Sequence, residues 1–431
     1  MNKWKKYIPD GMKDILFEEC KTKIDIENKF RKLYLEEAFE EVISPTIEFY
    51  DVFNGENQTM EQEKMYKLFD VQGRILVLRP DMTTPIARIA ATKLKDHPLP
   101  LKLCYTSNIF RINENLNGKL NEITQSGIEI IGSQSIKADI EAIIIGINAL
   151  LEAGLKNFKI ELGQAEFFKG ITEELDLTEE AIEKVRKLIE NKNFAGLKSF
   201  IEENQDQIKQ EAQRVLIELP TLFGGMEVVN RAKALTKNKS ALKALDSIEQ
   251  VYCILEKLEL NKYMSIDLGL VQHINYYTGI IFRGYSNDFG SNILSGGRYD
   301  GLVEQFGEVL PATGLALNVD NILQALKKQN TAKASFKQKF LVDYAEENIT
   351  QAFKMAEMLR NKGYDAEISL LDSSEAALIY AKEKNKDYFL DFKKHKIVFR
   401  ALKKPIAKEL ELEISLENLC DTLEDLLKWA E

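Results

Sequence analysis

Two runs of alternating residues, LKLCYTSNIFR at 101–111 and NEITQSGIEIIG at 121–132, flank a loop rich in asparagine. Alternation of this kind sends successive side chains to opposite faces, and two such runs around a turn-forming loop predict an antiparallel hairpin. In the second run the period places Gln125, Gly127 and Glu129 on one face, and Thr124, Ser126, Ile128 and Ile130 on the other. An amide, a glycine and a carboxylate in alternation make a floor for a small polar ligand. The glycine permits close approach and the two polar groups read donors on that ligand. An ordinary solvent-facing strand side has the same pattern.

Around this hairpin the chain reads as a mixture of helices and strands. Apolar positions at helical spacing (Ile26, Phe30, Leu33, Tyr34) predict a helix over 17–37, and FEEVISPTIEFYDVF reads as a strand interrupted by Pro45. RILVLRPDMTTPIARIAATKL predicts a strand at 75–78, a turn at Pro80 and a helix capped by Thr83 or Thr84. An Ile/Ala/Leu-rich helix follows at 136–155, ended by Gly154.

The texture then divides the chain into a core over 1–171, a helical insertion over 172–260 and a return to strands over 261–326. A polar linker over 327–339 leads to a small α/β domain at 340–431. At 431 residues two or three domains are expected.

Composition removes several function classes. The net charge of −10 supplies no general positive field for nucleic acid. Cys20, Cys104, Cys253 and Cys420 are far apart, as are His97, His273 and His395, so no metal or redox motif is expected. MNKWKKYIPDGMKD lacks the apolar region of a signal peptide, and no apolar run is long enough to span a bilayer. A cytoplasmic protein without membrane contact or cofactor is expected.

Several short segments have the residue types of a ligand site. LRPDMT sets Asp81 in the turn after a strand, where a carboxylate suits a ligand ammonium or caps the next helix. INYYTGIIF carries Tyr276 and Tyr277, expected on opposite faces of a strand with one in the core and the other presenting its hydroxyl to a pocket. LSGGRYDGL joins a Gly-Gly approach to Arg298, Tyr299 and Asp300, too short for a phosphate-binding loop of the Gly-Lys-Ser/Thr kind.

Taken in order, YIPDGMKD, LRPDMTTP, FR…GKLNEITQSGIEIIG, NYYTGIIF, SGGRYDGL and PATGLAL resemble the class II histidyl-tRNA synthetase core, over about residues 6–170 and 260–325. The resemblance implies an α+β fold: a class II aminoacyl-tRNA synthetase-like antiparallel sheet flanked by helices, working as a dimer through the region of FEEVISPTIEFY. It also implies that the helical segment is that family's insertion and that the C-terminal α/β segment is a degenerate anticodon-binding domain.

The family's histidine pocket carries over onto Asp81, Thr83, Gln125, Glu129 and Tyr277, with Tyr276 beside it. By the same resemblance Asp81 and Gln125 face the α-ammonium group, while Glu129 and Tyr277 recognise the imidazole. Asp81 stands where the family has Glu. Arg111 of the family's ATP-binding hairpin also remains and is counted with the histidine-binding residues. Its other charged residues do not remain: Gln272 and Asn321 occupy arginine positions, Asn113 replaces a Glu and Asn121 a basic residue. Adenylation builds negative charge on phosphates, and losing one fixed cation typically costs on the order of 10²–10³ in rate.

A pocket kept without the ligase cations resembles the regulatory subunit family of ATP phosphoribosyltransferase. That resemblance implies no catalysis, a short-form catalytic subunit as partner in a hetero-oligomer, and L-histidine as effector in the first step of histidine biosynthesis. A divergent histidine–tRNA ligase is the alternative that Gln272 and Asn321 oppose. A ligase-inactive RNA-binding paralogue would need a basic face, as at DFKKHKIVFRALKKP, a charge run that reads equally as solvated surface.

Overall fold

A computed structural model describes residues 3–55, 60–113, 119–271, 276–331, 337–394, 396–402 and 408–412. The chain forms two units, Met1–Ala334 and Ser335–Glu431. In the first, helix α1 (Phe17–Glu36) buries Ile26, Phe30 and Tyr34, as the helical spacing predicts. The FEEVISPTIEF segment is not one interrupted strand. Its first part, β1 (Glu40–Glu41), pairs parallel with β5 of the large sheet, defined below. Its second part, β2 (Ile47–Phe49), joins β3 (Lys67–Phe69) and β4 (Ile75–Leu78) in a separate three-stranded sheet. Pro45 lacks the N–H a continuous ladder needs, and the chain changes sheets there.

After β4 comes helix α2 (Thr83–Thr92), then the expected hairpin of β5 (Leu101–Phe110) and β6 (Glu122–Ile131). Helix α3 (Ile136–Glu152) is capped by the Ser135 hydroxyl, and Gly154 follows it at φ +96°. Its run of isoleucines favours strands intrinsically. Burial of Ile140, Ile143, Ile145 and Ile147 outweighs that preference.

Strand β7 (Phe158–Gln164) and helix α4 (Ala165–Thr172) follow, and neither is read from the periodicity. The insertion contains α5 (Glu179–Glu190), α6 (Phe194–Glu203), α7 (Gln210–Glu218), α8 (Met226–Leu235) and α9 (Lys239–Lys257). It is not wholly helical, because β8 (Phe223–Gly224) pairs with β9 (Met264–Asp267) at the sheet edge. Its apolar residues, among them Val185, Leu216 and Ile248, form one continuous core with those of the sheet.

Strands β10 (Ile280–Ser286), β11 (Phe289–Arg298) and β12 (Ala312–Asn318) and helix α10 (Val319–Lys328) complete the unit. The large sheet runs β1-β5-β6-β12-β11-β10-β7-β9-β8. Only β1–β5 and β7–β9 pair in parallel, so it is mainly antiparallel. Its β6 faces divide as the alternation predicts: Ile128 and Ile130 pack into the large core, while Gln125 and Glu129 point to the side where α2 lies.

The second unit is an α/β sheet ordered β14-β13-β15-β16-β17. It contains β13 (Lys339–Tyr344), α11 (Ile349–Asn361), β14 (Asp365–Ile368), α12 (Ser374–Glu383), β15 (Tyr388–Lys393), β16 (Lys396–Ala401) and β17 (Lys408–Leu412). The DFKKHKIVFRALKKP run is therefore more than solvated charge: Ile397, Val398 and Phe399 of β16 are buried beside β15. Among the described residues no helix is long and apolar enough to cross a membrane, and no His/Cys/Asp/Glu cluster suits a metal ion.

Candidate functional site

A cavity of about 680 Å³ opens over the middle of the large sheet, within the range of small-molecule sites. Asp81, Thr83, Arg111, Gln125, Glu129, Tyr276 and Tyr277 all line it. Glu129 is 1% exposed and lines it from β6. The Tyr299 hydroxyl donates to Glu129 Oε2, and Thr83 supplies a second side-chain hydrogen bond. Burial pushes the Glu129 carboxyl up to about 8; the two hydroxyls pull it back, and neighbouring Asp81 raises it further.

Asp81 caps the helix and lines the cavity. Its Oδ1 accepts the Thr84 N–H at 2.9 Å, so the carboxylate rather than either threonine caps α2, and the residue also faces the cavity. The Thr83 hydroxyl is used on Glu129 instead. Gln125 Oε1 is buried with no partner among the described residues, an acceptor available to a ligand donor. Arg111 sends Nε to the Pro80 carbonyl at 2.7 Å, and burial lowers its pKa while Asp81 opposes that shift.

Gly127 does not open the floor to a ligand as the alternation suggests. A Cβ there would meet the Leu315 carbonyl and lie 2.7 Å from the Tyr105 hydroxyl, so the missing side chain makes room for Tyr105. The closer approach belongs to Gly314, where a Cβ would overlap the Glu129 carboxylate. Tyr276 and Tyr277 precede β10 instead of lying in a strand, so alternation does not separate them. Both line the cavity, their rings edge to face at 4.9 Å, and Tyr276 also stacks on Tyr299 at 5.4 Å. Gly297, at φ +153°, lies under the Tyr277 ring.

Asn321, Asn113 and Asn121, which depart from the ligase pattern, are tied into the scaffold. Asn321 Nδ2 donates to the Asn292 carbonyl at 2.7 Å. Asn113 and Asn121 bond each other, and Asn121 Nδ2 reaches the Asp10 carbonyl at 3.1 Å in the PDG turn. Gln272 lies outside the described residues. Arg298 leaves the site altogether and binds Asp139 at 2.9 Å.

Tyr105 and Arg283 escape the sequence patterns, and Tyr299 is singled out there without its partner. Tyr299 lies inside the quoted GGRYDGL, but its bond to Glu129 joins residues 170 apart in the chain. Tyr105 carries a buried hydroxyl without a partner among the described residues, and burial, then Glu129, drives its pKa well up. Arg283 lines the cavity from β10, on the strand that starts just after the tyrosines. Strand alternation identifies such positions only once the neighbouring strands are known.

The chain matches the family model for histidyl-tRNA synthetase over residues 11–322. The histidyl-tRNA synthetase of Nostoc sp. PCC 7120 has a TM-score of 0.81 at 20% identity, covering 97% of this chain and 99% of that one, a likeness of fold alone. A structure described as an ATP phosphoribosyltransferase regulatory subunit/histidyl-tRNA synthetase from Bacillus halodurans C also gives 0.81, at 30% identity, covering 90% and 99%. Fold and family model thus define a protein of the class II histidyl-tRNA synthetase type.

Within that class, the ATP phosphoribosyltransferase regulatory subunit of Clostridium botulinum (strain Langeland / NCTC 10281 / Type F) is 55% identical over 392 residues, 91% of this chain and 93% of that one. The chain belongs to the ATP phosphoribosyltransferase regulatory subunit family.

Proposed function

We propose that this chain has no catalysis of its own, binds free L-histidine in the core cavity, and joins the short-form catalytic subunit of an ATP phosphoribosyltransferase. It enables that subunit and makes it sensitive to histidine, in the first step of histidine biosynthesis. One contrast supports this reading. The acceptors Glu129, Asp81 and Gln125 Oε1 converge on one cavity, while Asn321 stands in place of a phosphate-clamping arginine and bonds a backbone carbonyl. Two carboxylates and an amide receive an ammonium and an imidazole N–H. Phosphate activation needs the missing cations.

The protein should show no histidine-dependent ATP–pyrophosphate exchange above background. Clear exchange, lost on mutating Arg111, would overturn the regulatory reading. Gln272→Arg with Asn321→Arg should not suffice to create exchange, since Asn113 and Asn121 also depart from the ligase pattern. Co-purified with the catalytic subunit and assayed with ATP and phosphoribosyl pyrophosphate, the chain should raise activity, and histidine should lower it.

Self-association belongs to the same reading. Ile47, Phe49, Leu68, Phe69 and Ile75 of the three-stranded sheet are exposed apolar residues beside the segment expected to pair two copies. Light scattering should give at least a dimer at micromolar concentration. A strict monomer would remove that part of the proposal.

A further inference from the structure

An α-amino acid brings a carboxylate as well as an ammonium and a side chain, and the acceptors Glu129, Asp81 and Gln125 Oε1 cannot receive it. The cations along the cavity are Lys64, Arg111, Arg186, Lys187 and Arg283. Lys64 pairs with Glu61 at 2.8 Å, and Lys187 is 64% exposed near Glu183. Arg186 is held between Glu183 and Glu190 at 2.6 and 2.7 Å. Arg111 bonds the Pro80 carbonyl next to Asp81.

Arg283 stands on the sheet itself and lines both this cavity and the one beside it. It rises from β10, and its Nη1 donates to the Tyr285 hydroxyl at 3.1 Å. Across the sheet its register neighbours are Ser295 and Ala316, small residues that line both cavities beside it, and then Gly127, where Tyr105 fills the space. The adjacent row runs Ile281, Gly297, Gly314 and Glu129. Arg283 and Glu129 thus stand three strand spacings and two residues apart, roughly 16 Å between backbones, with glycines, serine and alanine between them.

A second cavity of about 930 Å³ adjoins the first, and Arg283, Gln125 and Arg111, the last tied through Nε to the Pro80 carbonyl beside Asp81, line both cavities. An imidazole held at Glu129 would put its α-carbon end toward that junction, with Gln125 on one side and Arg283 on the other. We infer that Arg283 receives the carboxylate of the bound amino acid and so selects the zwitterion over imidazole compounds that lack a carboxylate. This rests on the proposal that the cavity holds L-histidine. Burial raises Glu161 and Asp267 on the neighbouring strands and Arg283 opposes both shifts, so its guanidinium already works in an acidic surrounding.

Calorimetry with L-histidine and L-histidinol, which has an alcohol in place of the carboxylate, tests this on the wild type, Arg283→Gln and Arg283→Lys. Arg283→Gln should weaken L-histidine about ten- to a hundredfold and L-histidinol by less than about threefold. Arg283→Lys should lose less for L-histidine than the glutamine variant, which keeps the test informative if Arg283→Gln folds poorly. Unchanged L-histidine binding, or equal losses for both compounds, overturns the role of Arg283 and leaves the histidine site standing. A wild type that binds neither compound overturns the histidine site and this inference with it.

Discussion

Glu129→Ala weakens L-histidine binding about ten- to a hundredfold, the expected loss for one charge-assisted hydrogen bond worth roughly 1.5–3 kcal/mol. The side chain lies in the cavity, so the large core formed by Ile128 and Ile130 is untouched. Isothermal calorimetry reads the effect, and equal affinity in both proteins would remove Glu129 from the proposed pocket. In the complex with the catalytic subunit, histidine inhibition should move to correspondingly higher concentration.

The protonation of Glu129 adds a signature specific to this residue. Its carboxyl is pushed from 4.5 up to about 8, with burial the main cause. Between those values the folded protein keeps a proton that the unfolded chain has lost, so this group's contribution to stability falls as pH rises through that window. The slope from one such group is at most about 1.4 kcal/mol per pH unit. Glu129→Gln should flatten the stability profile between pH 5 and pH 8 in denaturant titrations. A ligand N–H favours the carboxylate, so histidine binding at pH 7 should release a proton. Calorimetry in buffers of different ionisation enthalpy should detect the release in wild type and not in Glu129→Gln.

The largest stability loss is expected at Arg298→Ala. Arg298 and Asp139 are 7% and 3% exposed and bond through Nη2 at 2.9 Å, and Arg298 Nη1 also donates to the Ser133 carbonyl at 2.9 Å. Removing one partner of a buried pair typically costs about 3–5 kcal/mol, because the other charge stays buried and alone. Burial already raises the Asp139 carboxyl against the pull of Arg298, so in Arg298→Ala it should rise further. The paired change Arg298→Met with Asp139→Leu should recover most of the loss in denaturant titrations. An Arg298→Ala protein of wild-type stability would show that the pair carries no net weight.

Local pattern determined much of this protein. Alternation in β6 separated Gln125 and Glu129 from Ile128 and Ile130, because a strand's side-chain period is two whatever lies beside it. The apolar spacing over α1, the Gly154 stop after α3 and the strand–helix order after Lys339 were set in the same way, by short-range geometry. Where two sheets compete, the chain alone could not decide: the residues on either side of Pro45 both read as strand, and only their partners β5 and β4 assign them to different sheets.

Tertiary structure decided the charge state and the company of the site. Nothing local to EITQSGIEIIG shows that Glu129 is buried, that Tyr299 donates to it, or that Gly127 makes room for Tyr105. Nor does the sequence place Arg283 three strands from Glu129. These facts depend on register between strands far apart in the chain, and a carboxyl's pKa depends on the water and charges around it, which exist only once those strands have paired.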